Sequence, residues 1–186
     1  MTIPTDLDHR FREAAEREGL VDVAYDVAES PIGDLLVAAT DRGLCRIAFR
    51  PDAALDELAA DFGARVLKLP KRLDGVRREL DEYFDCRRTA FDLDIDWSLV
   101  SPFGRRVLAA TREIPFGEVS TYAHVAAEAG NAKATRAAGN ALGSNPMPIV
   151  VPCHRVLHSG GKGIGRYTGG VHRKEALLQL EGVLLG

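Results

Sequence analysis

In the run Ile149-Val150-Val151-Pro152-Cys153-His154-Arg155-Val156 a cysteine stands between a proline and two basic side chains. A thiol attacks carbon as its thiolate, and a neighbouring His or Arg lowers its pKa from a free value of about 8.5. Pro152 fixes the backbone just ahead of Cys153, and the apolar residues before it make a buried approach. These residue types suit an activated nucleophile. On spacing alone a structural cysteine fits as well, because a free Cys packs as a small hydrophobe. Cys45 and Cys86 lie far off, and no Cys-x-x-Cys pair suggests zinc. Three widely spaced cysteines also argue against a disulfide framework and for a reducing compartment.

The elements that must position this run divide near residue 98. Residues 1–20 predict a short amphipathic helix, with Leu7, Phe11, Ala14 and Ala15 on one face and Gly19 as its stop. Val21, Val23, Tyr25 and Val27 alternate, Ser30-Pro31-Ile32-Gly33 turns, Leu35 to Ala39 returns, and Leu44 to Phe49 follows a second turn. This is the pattern of a small antiparallel meander. Pro51 opens a helix to about Phe62, a second helix covers about Arg72 to Phe84, and Phe91, Leu93 and Ile95 alternate as a last strand. From Ser101 onward the text is helical. Ser101-Pro102 starts one helix, and Thr121 to Ala129 and Ala132 to Leu142 flank Gly130-Asn131. That pair has the spacing of a helix-turn-helix, which a plain αα-hairpin shares. A Gly- and Pro-rich stretch covers residues 145–171, and His172 to Glu181 is a final helix. The fold class is α/β (α+β), with residues 1–98 as an N-terminal α/β unit and 99–186 as a helical C-terminal unit.

The composition, 46% hydrophobic and 27% charged, is that of a chain that buries a real core. No apolar run approaches the roughly 20 residues a membrane span needs. The mixed charges of the first 20 residues suit neither a signal nor a transit peptide, so the expected location is cytoplasmic. The net charge of −3 conceals a split: residues 99–186 carry ten Lys and Arg against five Asp and Glu, whereas residues 1–98 carry 14 against 22. Such asymmetry points to nucleic-acid contact by the basic half, although many small domains with no polyanion partner carry a similar excess.

The Pro-Cys-His-Arg-Val run resembles the acceptor motif of the O6-alkylguanine-DNA alkyltransferases, the methylated-DNA–protein-cysteine methyltransferase family. Ile114 to Tyr122 is similar to the segment leading into that family's helix-turn-helix, and Arg136 to Ala141 to its recognition helix. Asn145 to Ile149 is similar to the approach to the cysteine, and Tyr167 to Gly170 and Lys174 to Gly182 to the segments after it. The resemblance runs in order over residues 99–182. It implies a ribonuclease H-like N-terminal unit and a DNA-binding C-terminal one. It also implies direct, single-turnover transfer of an alkyl group from O6-alkylguanine in duplex DNA to Cys153, with O4-alkylthymine as a second candidate substrate.

Carried over by position, Cys153 is the acceptor, His154 its base through a water, Glu181 the group that orients His154, and Asn145 the brace of the preceding turn. Tyr122 is a proton donor to guanine that also perturbs the 3′ phosphate. Arg136 enters the stack in place of an extruded base. Ala134, Thr135, Ala137 and Gly139 belong to the helix that approaches the minor groove, where small residues, Ala138 and Ala141 among them, allow close contact. Pro148, Val156, Tyr167 and Thr168 wall the substrate pocket, with the Thr168 hydroxyl able to donate to the purine oxygen.

No cofactor and no catalytic metal is expected. A structural zinc is not expected either, since residues 1–98 offer only His9, Cys45 and Cys86. The expected partner is lesion-bearing double-stranded DNA, met by a monomer with no obligate protein partner and no membrane, with cooperative assembly on DNA left open. The chain departs from the family pattern at Gly104 and Leu108, where Gln and Trp are usual, and at Arg166 beside a glycine-rich loop. Three other readings compete: a lesion binder without chemistry, a Cys-His hydrolase, and a helix-turn-helix regulator. Cys153 argues against the first, an idle DNA-binding motif against the second, and an unexplained Pro-Cys-His-Arg run against the third.

Overall fold

The computed structural model describes residues 5–63, 65–159 and 163–183, and side chains from residue 10 onward. The expected meander is present as β1 (Val23–Ala28), β2 (Leu35–Thr40) and β3 (Gly43–Ala48), paired antiparallel in sequence. A fourth strand that the pattern did not announce, β4 (Val66–Lys68), runs parallel to β1, so the sheet is mixed with order β3-β2-β1-β4. Period-2 alternation sends Leu35 and Val37 into one core and Leu36 and Ala38 into another. The second core, with Val23, Cys45 and Leu58, lies under α2 (Pro51–Phe62).

Helix α1 (Thr5–Arg17) seats Ala15 against Val21, Ala24 and Leu69. Phe11, expected on the buried face, is 61% exposed, and the side chain of Leu7 lies outside the described residues. A 3₁₀ turn at Pro70–Leu73 precedes α3 (Asp74–Phe84) and takes the first turn of the helix expected from Arg72. The alternation at Phe91, Leu93 and Ile95 does not make a strand. Only Ile95 bridges Leu44, because the guanidinium of Arg112 donates to the carbonyls of Phe91 and Leu93 that a ladder would need.

In the second half, α4 (Pro102–Arg112) is capped by Ser101, whose hydroxyl accepts from the Gly104 amide. Helix α5 (Tyr122–Glu128) is capped by Thr121, and α6 (Thr135–Gly143) follows; the three helices pack on one another. Helix α6 begins three residues later than expected, because Asn131 holds the Lys133 amide with its side chain and the Ala134 amide with its carbonyl. Two residues each of β5 (Ser120–Thr121) and β6 (Val156–Leu157) pair parallel, and α7 (Val171–Leu180) ends the described fold. The largest core ignores the sequence division. Leu35, Leu44 and Tyr83 pack with Val107, Met147, Cys153 and Leu177, and the Ile47 amide donates to the Pro146 carbonyl.

Candidate active site

Cys153 begins a 3₁₀ turn, Cys153–Arg155, that packs on α7. The approach to it is sharp. Ile149, fully buried, adopts a left-handed backbone with φ 78°, a costly state for a β-branched residue that only a constraining environment maintains. Asn145 supplies that constraint. Its amide donates to the Val151 carbonyl at 2.8 Å and to the Cys153 sulfur at 3.2 Å, while its oxygen accepts from the Met147 amide at 3.0 Å. The brace expected of Asn145 is thus joined directly to the sulfur.

Cys153 is 6% exposed, and it lies on the wall of a cavity of about 450 Å³. Tyr122, Gly139, Gly143, Arg166, Tyr167 and Thr168 share that wall. The volume lies within the usual range of small-molecule sites, roughly 300–1,000 Å³. Burial pushes the thiol pKa up, against the Asn145 amide and the positive charge of Lys174, which pull it down. Lys174 was not expected to have a role. It is fully buried on α7, its ammonium donates to the Val156 carbonyl at 2.7 Å, and burial lowers its own pKa to about 8.

Behind the sulfur lies a buried polar cluster. His154 Nε2 and Glu181 Oε1 are 2.9 Å apart, and both side chains are sealed from solvent. Arg155 grips the same carboxylate twice, Nε to Oε2 and a terminal nitrogen to Oε1, each at 2.8 Å, and donates to the Ile114 carbonyl at 2.6 Å. Arg155 therefore serves Glu181, and the cation that acts on the thiol is Lys174. Tyr83 of α3 donates to Glu181 Oε1 at 2.6 Å. Despite burial, hydrogen bonds from His154 and Arg155 hold the Glu181 pKa down at about 2. Burial lowers the pKa of His154, outweighing the pull of Glu181. The pair is therefore a neutral imidazole beside a carboxylate. A carboxylate only accepts, so Nε2 carries the proton and Nδ1, buried with no hydrogen-bond partner among the described residues, presents a lone pair.

The structure brings Cys153, Tyr122, Gly139, Tyr167 and Thr168 to one cavity, with His154, Glu181 and Asn145 behind it. Tyr122 opens α5, where burial and the proximity of Cys153 raise its pKa, so its phenol keeps its proton. Two expected wall residues lie elsewhere. Pro148 borders a separate cavity beside Phe49 and Arg173, and Val156 is fully buried in the core. The Thr168 hydroxyl spends its one hydrogen on the Gly143 carbonyl at 2.8 Å, so it does not serve a purine oxygen in this arrangement. On α6, Arg136 and Ala137 are exposed, Ala134, Thr135 and Gly139 half-exposed, and Ala138 fully buried. Ala138 and Ala141 pack inward with the core and not toward a groove. Tyr83 and Lys174 escaped the sequence reading. Lys174 sat within a quoted motif, but only helix geometry reveals that it faces the thiol. Nothing near Tyr83 in the chain signals a partner 98 residues away. Among the described residues, no group of three or more His, Cys, Asp or Glu is arranged to hold a metal.

Comparison with known proteins adds the family. Residues 23–97 match the model described as 6-O-methylguanine DNA methyltransferase, ribonuclease-like domain, and residues 102–183 the model of its DNA binding domain. A methylated-DNA–protein-cysteine methyltransferase of Methanosarcina barkeri is 38% identical over 157 residues, covering 84% of this chain and 96% of the relative. The human protein of that name is 37% identical, covering 85% and 80%. Among solved structures, the Mycobacterium tuberculosis OGT in complex with DNA superposes with a TM-score of 0.74 at 34% identity, covering 86% of this chain and 93% of that one.

Proposed function

The chain belongs to the 6-O-methylguanine DNA methyltransferase family, and on that footing we propose that it repairs alkylated DNA by taking the alkyl group onto Cys153, once per molecule. The observation that carries the reading is a near-buried sulfur at a base-sized cavity, backed by a sealed imidazole–carboxylate pair. The Nδ1 lone pair of His154 takes the thiol proton through a water, and Glu181 fixes the ring that receives it. The Cys153 thiolate attacks the alkyl carbon in line. A sulfur–carbon bond forms, the carbon–O6 bond breaks, and its electron pair passes to guanine, which takes a proton from the Tyr122 phenol. Asn145 and Lys174 favour the thiolate until that moment.

The product is a thioether. It has no good leaving group, so Cys153 is not regenerated.

The alkyl carbon is out of reach in a stacked base pair, so the nucleotide must leave the helix, at a cost of a few kcal/mol that weakened pairing reduces. Arg136, exposed at the start of α6, has the planar guanidinium suited to fill the gap. The exposed Ala137 beside it lets the helix approach a minor groove. O4-alkylthymine presents the same exocyclic O-alkyl carbon and is a second candidate for the pocket.

The test is the mass of the intact protein after incubation with duplex DNA containing O6-methylguanine. The expected result is a gain of one methylene unit, mapped to the peptide holding Cys153 and absent from Cys153→Ala. An unchanged mass with retained affinity for the lesion would make the protein a binder, and a modified cysteine other than Cys153 would overturn the site.

A further inference from the structure

We propose that Tyr83, in the N-terminal half of the chain, is a positioning residue for the reaction: its hydroxyl sets how strongly Glu181 holds His154, and so how basic the imidazole is and how readily it draws the proton from Cys153. The inference rests on the reading of Cys153 as acceptor and His154 as its base.

Tyr83 is fully buried in α3, and its phenol donates to Glu181 Oε1 at 2.6 Å. That oxygen is also the one facing His154 Nε2, at 2.9 Å. With the Arg155 terminal nitrogen also on that oxygen at 2.8 Å, three donors share one acceptor. A phenol that donates strongly draws charge from Oε1 and leaves less of it to stabilise an imidazolium. Edge contacts with Phe84 and Phe116, at 5.3 and 6.0 Å between ring centroids, and a tilted contact with Phe91 at 5.3 Å fix the ring. Burial and the adjacent carboxylate push the phenol pKa far upward, so it remains a donor at every pH the protein meets.

The other charged or titratable groups facing the cluster are accounted for. Arg155 is locked on Glu181, Lys174 on the Val156 carbonyl, Tyr167 meets the His154 ring at 6.4 Å, and Tyr122 borders the cavity across from Cys153. Among the described residues, Tyr83 alone of the titratable groups that bond Glu181 comes from residues 1–98.

When Cys153 yields its proton, His154 becomes an imidazolium and Glu181 Oε1 must bear it. Removing the Tyr83 hydroxyl gives that oxygen more charge for His154, which stabilises the thiolate–imidazolium pair. The thiolate then makes up a larger share of the pair, while the acid limb, which is protonation of the same and now more basic imidazole, moves to higher pH. A stronger phenol donor does the opposite.

The experiment follows alkylation of Cys153 by iodoacetamide across pH, by peptide mass, in the full chain. The same proteins are also given duplex O6-methylguanine. Tyr83→Phe is expected to move the midpoint of the acid limb up by about half to one pH unit, and replacement of Tyr83 with 3-fluorotyrosine to move it down. Val76→Ala, a cavity in the same helix, serves as the control for lost stability and is expected to leave the midpoint in place. Fluorotyrosine keeps the ring and the hydroxyl, so it remains informative if Tyr83→Phe folds poorly. An unmoved midpoint in both Tyr83 proteins, or an equal shift in Val76→Ala, overturns the proposal. Failure of the wild-type protein to accept methyl from DNA sinks the repair reading instead.

Discussion

Glu181 receives hydrogen bonds from Tyr83, His154, Arg155 and the Gly117 amide, and its side chain has no solvent-exposed surface. Substituting Glu181→Gln leaves the Arg155 guanidinium buried without an anion. Loss of one partner of a buried pair costs about 3–5 kcal/mol, and urea unfolding at neutral pH should register that loss. The pH dependence follows from the pKa, held near 2 in the fold against an ordinary 4.5. A carboxylate with a depressed pKa stabilises the fold above its unfolded value and loses that contribution as pH falls toward the folded one. Acidification from pH 4.5 to 2 should therefore remove on the order of 3 kcal/mol from the wild type and little from Glu181→Gln, closing the gap between them. A gap that stays constant would mean the carboxylate charge is not what stabilises the cluster. Lys174 offers a second reading at this scale. Lys174→Met removes the cation that draws the Cys153 thiol toward ionisation, so iodoacetamide should modify Cys153 about tenfold more slowly at pH 7. An unchanged rate would assign Lys174 to the Val156 carbonyl alone.

The pocket depends on how short elements are seated. Gly165 sits at φ 79°, and a β-carbon there would lie 3.0 Å from the Tyr122 hydroxyl and 3.2 Å from the His158 ring. Gly165→Ala should therefore cost about 1 kcal/mol for the backbone and displace the phenol. Methyl transfer should slow more than the melting temperature falls. Equal loss of both would place the effect in folding. Helix α4 was readable from Ser101-Pro102 because a cap and a first-turn proline are local signals, and β1 to β3 were readable from period-2 alternation. Residues 91–95 also alternate, yet alternation reports which side chains are buried and not who takes the carbonyls, and Arg112 takes them. Strand β4 has only three residues and pairs with a strand some forty positions earlier, beyond any local window. The site divides the same way. Cys153, His154 and Asn145 sit within nine residues of one another and carry a family pattern. Tyr83 and Lys174 became visible only once α3 and α7 were packed into the core that holds Cys153.

At the scale of the molecule, the excess of basic residues after position 98 has to act on a duplex through exposed side chains. Lys133 and Arg136 flank the start of α6 and form no ion pair among the described residues. A lysine that neutralises a phosphate releases counterions, and each such contact contributes about 0.9 to the slope of log affinity against log salt. An arginine that fills the stack does something else: it stabilises the flipped state, with little effect on the salt slope. Lys133→Ala should therefore flatten the slope by about one while leaving the transfer rate at saturating DNA unchanged. Arg136→Ala should leave the slope nearly intact and lower the saturating rate by tenfold or more, since the unstacked base loses a partner worth roughly 1–3 kcal/mol. Anisotropy titrations at several salt concentrations, run beside single-turnover transfer monitored by mass, separate the two roles. If Arg136→Ala loses affinity and slope but transfers methyl normally once bound, its guanidinium neutralises a phosphate and does not fill a stack.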